Sequence, residues 1–236
     1  MKDKLQVLSG AMMIPVILLV VAGVFIGIGS AFANPENLAL LGLDNVIKEG
    51  SILYSTFNVI NSLGFMVMRF LPIFFVVGIA FGLSKKEKGW GALGGIVLFI
   101  GMHTVINTIL NLNGITPDTV TVDALQSTGL SLEQAYSRSS LYGNILGIFS
   151  YDSSIFGAIL AGIIASMIHN KFVDTELPTA LSFFSGARSS MIMMFFGAII
   201  LGTAMYFLWP PIGLALSFIG NWIGASGLFG TFTLVL

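Results

Sequence analysis

Few side chains in this sequence could carry out chemistry. There are two histidines, His103 and His169, and no cysteine, so thiol nucleophiles, disulfides and thiolate metal sites are excluded. No Gly-x-x-x-x-Gly-Lys phosphate loop, His-Glu-x-x-His pair or Gly-x-Ser-x-Gly elbow occurs. No bound metal or cofactor is expected. The remaining polar groups form four sets. Arg69 stands three residues before Pro72 in an apolar run, where a charge is expensive and marks function by default. The plainer account is that Arg69 snorkels, or pairs structurally with Asp152. His103 heads a stripe with Thr104, Asn107 and Asn111 and reads as a packing histidine, since no metal partner sits at helical spacing. Asn58, Asn61 and Ser62 form a small polar face suited to a solute or to interhelical hydrogen bonds. His169, Lys171 and Arg188 bracket a polar loop, and His169 reads as a helix C-terminal cap.

The elements that must position these groups are membrane spans. Of 236 residues 56% are hydrophobic and 9% charged, against about 25% charged in soluble domains. The net charge of −1 lacks the basic excess of a nucleic-acid binder. Crossing a hydrocarbon core of about 30 Å takes about 20 apolar residues. Residues 5–35 are free of charge, 89–117 hold only His103, and 153–170 hold only His169. The 48 uncharged residues 189–236 exceed one crossing, and Trp209-Pro210-Pro211 divides them on the rule that paired prolines cannot continue a helix. Spans are expected at about 8–33, 57–84, 89–111, 153–170, 190–209 and 212–235. The first is too long for a signal-peptide core, despite Ala31-Phe32-Ala33 at its end, and reads as an uncleaved helix.

Loop charges orient these spans. Lys2, Lys4, Lys85, Lys86, Lys88, Lys171 and Arg188 fall on one side, and only Lys48 and Arg138 on the other. By the positive-inside rule the N-terminus and the 85–88 turn face the cytoplasm. Residues 112–139 read as an outer loop with a short helix from Ser131, and 140–151 as a re-entrant or interfacial piece. Leu177, Leu181 and Phe184 recur at helical spacing and predict an amphipathic helix on the cytoplasmic surface. The expected fold is all-α: a polytopic integral membrane protein of about six transmembrane helices, with those two additions.

Beyond these readings, residues 5–34, LQVLSGAMMIPVILLVVAGVFIGIGSAFAN, resemble the first helix of a known family. It is the membrane (IIC) permease of the bacterial phosphoenolpyruvate-dependent sugar phosphotransferase system. The match is to its glucose superfamily, which takes up glucose, N-acetylglucosamine, maltose and other α-glucosides. Residues 71–97 are similar to its second helix, basic turn and third helix. Residues 155–190 resemble its glycine-rich helix, its His-Asn-(Arg/Lys)-Phe end and its Leu-Pro…Phe-Phe-(Gly/Ser)-Gly-x-Arg loop. Trp209-Pro210-Pro211-Ile212-Gly213 follows in order.

The resemblance implies uptake of a hexose or α-glucoside coupled to its phosphorylation by a separate IIB domain, in the bacterial cytoplasmic membrane. Implied partners are the sugar, phosphorylated IIB with its upstream phosphocarriers, the lipid bilayer and a homodimeric full-length permease. His169, Lys171 and Arg188 would then line the surface where IIB docks, the phosphoryl relay passing elsewhere. The family's sugar-binding motifs, a His-His pair and a Gly-(Ile/Val)-Thr-Glu-Pro stretch, would lie beyond Leu236, and Ser189-Ser190-Met191 replaces its Phe-Val-Pro. The chain, 1–236, is thus expected to be the N-terminal portion of a permease, as a truncation, a split gene or an engineered fragment, inactive alone. The alternative is a non-transporting remnant that packs with a full-length permease as an interaction subunit. An unrelated membrane enzyme is the third reading, against which the missing motifs count.

Overall fold

The computed structural model describes residues 2–225. Its long helices are α1 (Lys2–Ala33), α3 (Ile52–Arg69), α4 (Leu71–Leu83), α5 (Lys88–Leu112), α8 (Ser154–Phe172) and α9 (Ala187–Ala225). Short helices α2 (Pro35–Leu40), α6 (Val122–Ser127) and α7 (Leu132–Ser139) lie in the connections. Strands β1 (Tyr142–Ile145) and β2 (Ile148–Tyr151) form one antiparallel hairpin. Among the described residues four helices are long and apolar enough to cross a membrane, and α3 with α4 makes a fifth if the bent pair is one span.

The core is a four-helix contact. Val76, Ile79 and Ala80 of α4 meet Leu98, Met102 and Ile106 of α5, the small Ala158, Ala161 and Ala165 of α8, and Met194 and Ala198 of α9. Alanines on α8 let neighbouring backbones approach closely, as lipid-embedded helices require. Helix α1 lies outside this core against α3 and α4, and its far face, including Met13 and Val20, is exposed as lipid contact demands. A Cβ on Gly64 would sit 2.7 Å from Ile26 Cγ1, so α1 and α3 cross at a distance only glycine permits.

The three proline sites in the long helices behave differently. Pro72 occupies the first turn of α4, where it has no N–H for the carbonyl four residues back and its ring crowds that carbonyl, so α3 ends at Arg69 and α4 leaves at 57°. Pro15 lies inside an unbroken α1. Pro210 and Pro211 also lie inside one helix, so the expected division into spans 190–209 and 212–235 is replaced by a single 39-residue α9, about 58 Å long. Its second half has its own supports. Trp209 is buried, Ser217 Oγ lies 3.3 Å from Ser140 Oγ, and Asn221 Nδ2 donates to Ser137 Oγ. Helical bonds lost to proline in a membrane are tolerated where neighbours supply such contacts. Of the expected last span, residues 226–235 lie outside the described residues.

The fold is helical as expected apart from residues 142–151, inside the stretch read as a re-entrant or interfacial piece, which form a β-hairpin. One further expectation changes. The expected amphipathic α-helix is a six-residue 3-10 turn, Thr179–Phe184, entirely exposed. Pro178 stands before it in extended conformation, and Leu177 N donates to Ser185 Oγ instead of entering a helix. The short helix after Ser131 is present as α7, with Ser131 and Gln134 forming a reciprocal capping box.

Candidate functional site

Polar side chains gather in two places, one at each end of α5. The first is a clasp at the turn joining α4 to α5. His169, in the last turn of α8, is fully buried; its Nε2 donates to Lys86 O at 2.9 Å and its Nδ1 shares a 3.0 Å hydrogen bond with Ser190 Oγ of α9. Asn170 uses both ends of its amide, donating to Leu83 O and accepting from Lys85 N. Lys86 Nζ pairs with Asp174 at 2.7 Å, the one ion pair among the described residues. A turn whose backbone groups would otherwise be orphaned at a helix junction is thereby tied to α8 and α9.

The expected trio at this end therefore separates. Lys171 and Arg188 are exposed, whereas His169 is interior and bonds another element's carbonyl, so it neither faces the surface nor caps its own helix. Arg188 donates to Phe183 O and lies 4.7 Å over the Phe183 ring. The loop between Lys171 and Arg188 closes on itself through Gly186 N to Thr175 O, and it displays Leu181, Phe183 and Phe184. Asn170 was missed as a positioning residue; its place beside His169 at a helix end was the available signal.

The second place is the hairpin. His103 Nδ1 and the buried Ser150 Oγ lie 2.8 Å apart, Asn107 donates to Phe149 O at 2.6 Å, and Asn111 donates to Asn107. The polar stripe on α5 thus sews β2 to the helix, while Thr104 bonds within α5. Tyr142 and Tyr151 face each other across the strands, and Tyr151 meets Tyr206 of α9. Asn61 of the smaller polar face donates to Ser30 Oγ of α1, and Asn58 bonds its own helix, so that face serves helix packing.

Arg69 and Asp152 are not joined. Asp152 accepts from Ser154 N at 3.0 Å, whereas Arg69 lines a cavity of about 300 Å³ between the α3–α4 break and the hairpin tip. Among the described residues no cluster of His, Cys, Asp or Glu could hold a metal ion.

An apolar helical bundle with a bent helix pair, a packed hairpin and a tied basic turn defines a polytopic integral membrane protein with interior polar sites. Residues 9–236 match the model of the family described as Phosphotransferase system, EIIC, and the chain belongs to that family. It is 31% identical over 225 residues to the PTS system maltose-specific EIICB component of Escherichia coli (strain K12), covering 95% of this chain and 39% of that protein. It is 28% identical to the PTS system alpha-glucoside-specific EIICB component of Leptotrichia buccalis, covering 98% of this chain and 40% of that one. The maltose-specific EIICB component of Bacillus subtilis (strain 168) is 26% identical over 98% of this chain and 41% of its own length. The chain thus spans about two fifths of the curated relatives it matches.

Proposed function

We propose that this chain is the N-terminal portion of a permease that takes up a hexose or α-glucoside coupled to phosphorylation by a separate IIB domain. The observation that carries the reading is the match to maltose- and α-glucoside-specific EIICB proteins over nearly the whole chain. Its partners on this reading are the sugar, phosphorylated IIB with its upstream phosphocarriers, and a second permease copy. The role of residues 1–236 is framework and gating. Exposed Lys171 over Phe172 and Arg188 over Phe183 form the surface offered to IIB, since cations there attract a phosphorylated partner. His169 sets the geometry beneath them.

The chain lies in the bacterial cytoplasmic membrane with its N-terminus and the 85–88 turn inside. The seven-to-two division of basic residues supports this orientation. So does α5, which separates that turn from the acidic loop by 25 residues, about 37 Å. Alkaline phosphatase fused at Asp118 is expected to be active and at Glu87 inactive; the reverse pattern overturns the orientation. Transport is tested in cells lacking their own maltose permease, with the chain expressed alone or beside the part of the E. coli relative beyond the matched region. Phosphorylated maltose should accumulate only in the paired cells. No accumulation there, with no co-purification of the two parts, would overturn the permease reading.

A further inference from the structure

The cavity at the α3–α4 break has features that packing does not explain. It is lined by Arg69, Phe70, Phe99, Asn144, Leu146 and Gly147, among others. Its depth follows from the helices. From the clasp end, α4 climbs 13 residues, about 20 Å, to the break. Phe99 lies eleven residues beyond Lys88 on α5, about 17 Å up the same bundle. Both distances fall inside a hydrocarbon core of about 30 Å. Non-helical backbone survives at that depth only when protein buries it or when it lines a watery cavity.

Arg69 has the same requirement. A guanidinium inside a membrane pairs with an acid or faces water. Among the described residues Arg69 has neither an ion pair nor a hydrogen bond, and Asp152 is engaged by Ser154 N. The turn above it is made by Leu146 at φ 55° and Gly147 at φ 87°. Positive φ at both positions is the geometry of a tight two-residue hairpin. For leucine this conformation costs about 1–2 kcal/mol. A strained leucine at the tip lines the same cavity as the unpaired arginine.

The lining also selects among ligands. No carboxylate is present, so a cation is not favoured. Phe70, Phe99 and Pro72 supply apolar surface to the lining, and Arg69 and Asn144 supply donors and one acceptor. That pairing suits a ring with a C–H face and a rim of hydroxyls. A volume near the lower limit for ligand pockets admits one or two sugar rings. We propose that this cavity is a sugar subsite at membrane depth, in which Arg69 and Asn144 bond hydroxyls of an uncharged hexose or α-glucoside. The proposal rests on the permease reading and adds to it a binding site within residues 1–236.

The absence of native cysteine permits a direct test, because Leu146→Cys carries the only thiol. In membrane vesicles holding the full chain, anionic sulfonatoethyl methanethiosulfonate should label it about tenfold faster than the trimethylammonium reagent. Adding Arg69→Gln should bring the two rates together. Millimolar maltose or glucose should slow labelling several-fold, and glycerol at the same concentration should not. Ile73→Cys, which reaches the cavity from α4, carries the same test if the first variant fails to insert. Absence of labelling at both positions, or labelling indifferent to sugar, overturns the subsite. Uptake of labelled maltose by the paired cells is measured separately. Uptake with a sugar-indifferent cavity sinks this inference alone, whereas lost uptake with sugar protection sinks only the coupling.

Discussion

At the clasp end of α5, His169 uses both ring nitrogens and joins three elements, while Asn170 beside it uses both ends of its amide. Toward the hairpin end, His103 is equally buried and also bonded to a serine, but its Nε2 has no partner among the described residues. Its ring stands edge-on to Phe99, which lines the Arg69 cavity. Two histidines in matching settings thus serve different ends. A fully satisfied buried network holds one arrangement rigidly. The incomplete one at His103 holds its neighbours by a single hydrogen bond and constrains them less.

The contrast can be broken by measurement. The largest effect is expected from His169→Leu, which strands the buried Ser190 hydroxyl and the partly buried Lys86 carbonyl and should lower stability by about 3 kcal/mol. Thermal unfolding in detergent reads this, and hydrogen exchange at Lys85 N should accelerate as the turn loosens. His103→Leu strands the buried Ser150 Oγ but also removes the unpartnered Nε2, so it should cost about 1–2 kcal/mol in the same assay, less than His169→Leu. Equal losses for the two variants would erase the distinction between the two ends. Lys86→Ala breaks an ion pair whose side chains are 63% and 66% exposed, so its effect should stay below about 1 kcal/mol and shrink further in high salt. The smallest term is the coupling between Arg69→Leu and Asp152→Leu. Their effects should add within about 0.5 kcal/mol, and a double mutant more stable than Arg69→Leu would show that the two side chains meet after all.

Much of this was legible along the chain. The spans at 8–33, 89–111 and 153–170 correspond to α1, α5 and α8 because a long apolar run has one stable answer in lipid, a helix that satisfies its own backbone. The short helix after Ser131 was readable from its cap. His103 was readable as a packing group, and Asn61 as an interhelical one. The inward position of His169 was not, since a histidine at a helix end looks the same whether it faces water or a neighbouring turn. The pairing of Arg69 with Asp152 rested on charge alone, and charge gives no distance.

Prolines divide most clearly what sequence determined from what tertiary structure decided. Composition alone required a membrane protein, because 9% charged residues cannot cover a wetted surface. The charge-free runs required helices of spanning length. Pro72 and the Pro210-Pro211 pair carry the same local message, a missing donor and a ring against the preceding turn. At Pro72 the helix breaks, because α3 is held by α1 while α4 must pack between α5 and α8. At Pro210-Pro211 it continues, because Trp209 is buried and Ser140, just after α7, and Ser137 in α7 bond Ser217 and Asn221. Two donors are lost at 210–211 and one at 72, yet it is the helix with one that bends, so contacts from elsewhere in the chain decided the outcome.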